Sequence, residues 1–224
     1  AKAGGKVLRE DYGFEVRELI NPTKAEIERE LARLTRREIV GEDDAVLVFF
    51  AGHGQSVKLP EGEMGFLIPS DAKVDLKDTS DVSGYIETCI PMSRLKEYAK
   101  AIPAKHRLFL LDCCFSGLAT DRGMRGLVGK VRDRVLKLWA RERAAQVITA
   151  GGRGQEVPEL EGFGHGAFTH ELLGGLSGFA DSNGDGVITA SELGTYLKNR
   201  MAEYGLLPQM GAYFGTQGEF MLVR

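Results

Sequence analysis

Three apolar runs constrain this chain more than anything else in it: residues 45–54 (AVLVFFAGHG), 106–117 (HRLFLLDCCFSG) and 144–152 (AAQVITAGG). Each is rich in β-branched or bulky apolar residues and stops at small ones. A strand with one wet face alternates polar and apolar positions, whereas a strand covered on both faces does not. The runs therefore predict parallel strands, buried on both sides, in a sheet flanked by helices.

Between and around them lie helix-period patterns and shorter strand signals. Asn21-Pro22 marks a turn, Thr23 and Glu26 form a capping box, and Ile27, Leu31 and Leu34 make an apolar stripe. Residues 91–102, 166–176 and 190–205 also read as helical, and residues 1–12 as the end of a helix. Phe14 and Val16 alternate with polar residues, with Leu19 following one step out of phase, which predicts a short strand; residues 65–72 and 218–223 read as two more. Strands alternating with helices give an α/β sandwich on a mostly parallel sheet. No internal repeat interrupts the pattern.

Several functions drop out on composition. A net charge of −3 exerts no strong pull on nucleic acid. No apolar run approaches the roughly 20 residues of a membrane helix, and no signal peptide is visible. Of the three cysteines, Cys113 and Cys114 are adjacent and badly placed to pair with each other. Thiols without a disulfide framework point to a reducing compartment, and a cytoplasmic location is expected.

In open α/β sheets, chemistry gathers beyond the carboxyl ends of the strands. His53 ends the first run and Cys114 the second. A thiol nucleophile needs a base to form thiolate and to protonate the leaving amine, and an imidazole serves for both. Gly52 and Gly54 let backbone approach a substrate closely, and the N–H groups of Gly54 and Cys114 are candidates for an oxyanion hole. Either residue alone is equally at home in a structural role. A zinc site on His53 and the two cysteines is a further alternative, although adjacent cysteines lack the usual spacer.

The segments VLVFFAGHGQ and RLFLLDCCFSG, in that order, resemble the caspases, metacaspases and bacterial caspase-like peptidases. The paired-cysteine form is nearer to metacaspases than to the Gln-Ala-Cys pattern of animal caspases. The likeness runs on through ITAGG and GHGAFTHELLGGL to the last strand. It implies a caspase-like three-layer sandwich, Cys114 as nucleophile, His53 as base, and Cys113 turned into the core. Phe115 stands where metacaspases commonly carry His, a position outside the catalytic pair. The resemblance also implies a division into a large-subunit-like part (1–118), a basic linker (119–145) and a small-subunit-like part (146–224), all in one folded domain. The family fold opens with a central strand that has no counterpart here. This chain is thus expected to be a piece of a longer protein, whose missing N-terminal segment would partner it and add a second acidic group to the substrate pocket.

Asp112 shares a strand face with Cys114 if alternation holds. Its metacaspase counterpart helps form the S1 pocket, so protein or peptide substrates with Arg or Lys at P1 are expected, and not Asp. The other reading is that Asp112 caps a nearby amide or turn. Residues 119–145 then become a potential self-substrate, with Arg122, Arg125, Lys130, Arg132 and Arg134 as cleavage points. A solvated helix is the alternative, because Val131, Val135, Leu138 and Trp139 have helical spacing. DSNGDGVITASE matches an EF-hand loop, with Asp181, Asn183, Asp185, Val187, Thr189 and Glu192 as Ca2+ ligands and Gly186 at the sharp turn. An Asx-rich turn before a capped helix would read similarly. No cofactor is expected for the chemistry itself. The competing function is a catalytically silent caspase-like module that binds partners or senses calcium.

Overall fold

All three apolar runs form strands, and all three lie in one sheet. The structure, a computed structural model, describes residues 2–114, 122–123, 133–151 and 166–224, with Cys114, Arg122, Gly123, Asp133 and Arg134 described by backbone alone. In chain order the elements begin α1 (Lys2–Tyr12), α2 (Lys24–Arg33), β1 (Ala45–Ala51), β2 (Gly54–Leu59), β3 (Gly62–Leu67), α3 (Val82–Thr88), β4 (Ile90–Pro91), α4 (Met92–Ala101) and β5 (His106–Cys114). They continue with β6 (Arg122–Gly123), α5 (Asp133–Arg141), β7 (Ala144–Gly151), α6 (Ala167–Gly174), a π-helical turn (Gly175–Phe179), β8 (Val187–Thr189), α7 (Ala190–Ala202), β9 (Gln209–Ala212) and β10 (Met221–Val223).

The main sheet has the order β1-β5-β7-β9-β6. β1, β5 and β7 are parallel, and β9 and β6 close the far side antiparallel. Alternation along β5 sorts its side chains between two layers. Phe109, Leu111 and Cys113 join α2 and α4 through Ile27, Leu31, Leu95 and Ala99. Leu108 and Leu110 join α1, α6 and α7 through Leu8, Phe168, Leu172, Leu193 and Leu197. This is a three-layer sandwich, as predicted. Outside it, β2, β3 and β4 form a small antiparallel sheet, and β8 pairs with β10.

Three expectations need correction. β1 is not buried on both faces: only Val46 is buried, because β1 bonds to β5 along one edge and no described strand pairs with the other. The alternating residues 14–19 form no strand, since none of the described strands lies beside them. They instead run along α1, with Phe14 N–H donating to the Leu8 carbonyl at 3.1 Å. A strand needs a partner for its backbone groups, and pattern alone does not supply one. The strand expected over residues 65–72 is shifted: β3 starts earlier, as the return arm of a hairpin with β2. Within 119–145, a helix over Asp133–Arg141 carries part of the predicted stripe. β9, β2 and α3 were not foreseen.

Candidate active site

The strand register brings the two halves of the site together. β1 and β5 run in parallel with Ala51 opposite Asp112. Gly52 N–H extends that ladder by donating to the Asp112 carbonyl at 3.2 Å. His53 lies two residues beyond Ala51, and Cys114 two beyond Asp112, so both leave the sheet at one edge from strands about 4.8 Å apart. Cys114 is the last residue of β5 and pairs with Gly151 at the end of β7, so three strand ends converge there. His53 is exposed.

The loop carrying His53 is pinned from the other side too. Its carbonyl accepts from Ile68 N–H at 3.0 Å. In an antiparallel ladder that bond makes the adjoining Gly54–Leu67 pair the non-hydrogen-bonded kind, so Gly54 N–H points away from β3. An amide so directed is what an oxyanion site requires.

β5 does not stay regular to its end. Leu111 pairs with Thr149 and Cys114 with Gly151, so three steps on β5 oppose two on β7. One extra residue is accommodated, as in a β-bulge, a device that re-aims side chains beside active sites. The same-face relation of Asp112 and Cys114 therefore does not follow from simple alternation. Cys113 is buried at 3% exposure in the α4 layer, as the resemblance implied.

Asp112 points the opposite way, toward α6. It is 9% exposed, and its Oδ2 accepts from the Thr169 hydroxyl. Thr169 N–H donates to the same carboxylate. Gly166, the N-cap of α6, has no side chain to satisfy the amides of the first turn. Asp112 thus serves as a cap supplied from another element. Burial pushes its carboxyl above the usual range, and the two bonds from Thr169 partly offset that. Thr169 escaped sequence reasoning; the signal was a glycine N-cap followed by a hydroxyl at the third helical position.

Arg122 sits in β6 and Arg134 in the first turn of α5, while Arg125, Lys130 and Arg132 are outside the described residues. In the acidic loop, Asp181 accepts from the N–H groups of Gly184 and Gly186, at 2.8 and 2.9 Å. Asp185 accepts from Val187 N–H at 2.9 Å, and Asn183 from Asp185 N–H at 2.9 Å. Gly186 has φ 82, the left-handed turn foreseen for it. Glu192 closes a capping box with Thr189 and also accepts from Asn183 Nδ2 at 2.9 Å. Among the described residues no group of three or more His, Cys, Asp or Glu is gathered to hold a metal ion. None of the described helices is long and apolar enough to cross a membrane.

A mostly parallel sheet covered by helices on both faces, with His53 and Cys114 at neighbouring strand ends, defines the class by fold, an α/β three-layer sandwich. The family model described as the caspase domain matches residues 1–204, and the chain belongs to that family. The crystal structure of protein GSU0716 from Geobacter sulfurreducens is similar, with a TM-score of 0.57 at 14% identity, over 100% of this chain and 82% of that one. At that identity the likeness speaks for the fold alone. A search of curated proteins found no match.

Proposed function

We propose that the protein is an endopeptidase cutting after Arg or Lys, with Cys114 as nucleophile and His53 as base. The observation that carries this reading is the Ala51–Asp112 register, tied by the Gly52–Asp112 bond, which sends both residues from one sheet edge. His53 takes the thiol proton, and the Cys114 thiolate attacks the scissile carbonyl. The N–H groups of Gly54 and Cys114 hold the developing oxyanion. The proton on His53 then passes to the leaving amine, and water, deprotonated by His53, hydrolyses the acyl-thioester. Asp112 supplies the negative charge that selects a basic P1 side chain. A panel of fluorogenic peptides differing only at P1 tests this: Arg and Lys are expected to lead, and preference for Asp would sink the basic pocket.

Four further properties belong to the same reading. The edge of β1 that no described strand pairs with takes up a further strand from outside the described residues. Residues 119–145 are a self-substrate, and the enzyme works in the cytoplasm. The acidic loop binds Ca2+ through Asp181, Asn183, Asp185, Thr189 and Glu192 and the Val187 carbonyl. It sits between the α6 segment and α7, a helix–loop–helix arrangement, with oxygen donors that suit a hard cation. Binding makes Glu192 exchange its capping role for coordination. Calorimetry with CaCl2 is expected to give heat for the parent protein and none for Asp181→Ala; equal heats would end the calcium assignment.

A further inference from the structure

Asp112 is 9% exposed at the carboxyl end of β5, and among the described residues the donors that meet its carboxylate come from one residue. The Thr169 hydroxyl and N–H meet its carboxylate across 57 residues of sequence. Thr169 is itself only 2% exposed. Ala51 on β1, Thr149 and Gly151 on β7 are uncharged, and on α6 the Glu171 carboxylate is taken by Arg200 and Tyr204. His53 is the titratable group on the adjoining loop.

We propose that Thr169 is a positioning residue for substrate selection: it fixes the orientation of the Asp112 carboxylate and keeps it charged for a basic P1 side chain. This rests on the reading of Asp112 given above. A carboxylate left buried without donors takes up a proton rather than stay charged, and a neutral acid no longer distinguishes a guanidinium from its uncharged analogue. The positive N-terminal end of α6 assists in the same sense.

The test compares two peptides alike except for Arg or citrulline at P1, the second being an uncharged near-isostere of the first. The kcat/KM ratio for the pair is independent of how much protein is folded, since both substrates meet the same preparation. The parent is expected to favour Arg strongly, and Asp112→Asn to lose most of that preference. Thr169→Val, which keeps the shape and removes the hydroxyl, should lower the ratio by about tenfold, the usual effect of one hydrogen bond to a charged group. Thr169→Ser should restore it. A Thr169→Val protein that loses activity on both peptides equally, or keeps the parent ratio while Asp112→Asn does not, overturns the inference and leaves the basic pocket standing. A parent ratio near one, or no turnover at all, removes the specificity reading and this inference with it.

Discussion

Cys114→Ala is expected to lower kcat/KM for an arginyl peptide by roughly four orders of magnitude or more, the scale set by removal of a covalent nucleophile. His53→Ala should cost nearly as much, because a thiol without its base is a poor nucleophile and the leaving amine loses its proton source. The two losses should not add. A nucleophile and base that act as one unit give a double variant scarcely worse than either single one. Steady-state kinetics on the three proteins decide the matter, and Cys114→Ala within about tenfold of the parent would remove the nucleophile assignment. The same variant reports on self-processing. The active protein is expected to show cuts between residues 119 and 145, and Cys114→Ala to remain whole; identical intact masses would count against it. Arg122 and Arg134 sit in a strand and a helix, so cutting after either needs local unpairing.

What the sequence discloses and what it hides divide along physical lines. β7 is legible because all eight of its residues are buried, which selects a run of small and apolar residues broken only by Gln146 and Thr149. β1 (AVLVFFA) is more apolar still but lies at the edge of the described sheet, and composition does not report whether a neighbour is present on each side. Residues 14–19 show the converse, a short alternation with no strand beside it among the described residues. β9 (QMGA) is four residues long with a glycine inside and offers no pattern. The strand-end positions of His53 and Cys114 were legible because strand ends can be found from the runs that precede them. The Asp112–Thr169 bond was not, because it joins residues far apart in the chain, and only the stacking of α6 on β5 brings them together. The irregular step between Leu111 and Cys114 was hidden for a related reason: a bulge changes the pairing and leaves the residue types unchanged.

Phe109→Ala is expected to be the most damaging single truncation in the core, at about 3–5 kcal/mol. Phe109 is fully buried at the middle of β5, with Val48 beside it on β1 and Val147 on β7. Its ring meets Tyr213 edge-on, with centroids 6.2 Å apart. Strands on both sides hold the backbone in place, so the hole left by the ring cannot collapse, and the cost includes the cavity as well as the lost transfer energy. Against a total stability of about 5–15 kcal/mol, such a loss leaves a substantial unfolded fraction on warming. The effect on chemistry should nevertheless be indirect. Phe109 faces the α4 layer, whereas Asp112 faces α6. Active-site titration with a thiol-directed probe should therefore find fewer competent molecules, each with a kcat close to the parent's, while urea unfolding gives the lowered midpoint. An unfolding free energy within about 1 kcal/mol of the parent would mean that this layer is not packed against β5 as described. A reduced kcat per titrated site would mean instead that the α4 face of β5 helps to hold the strand end from which Cys114 acts.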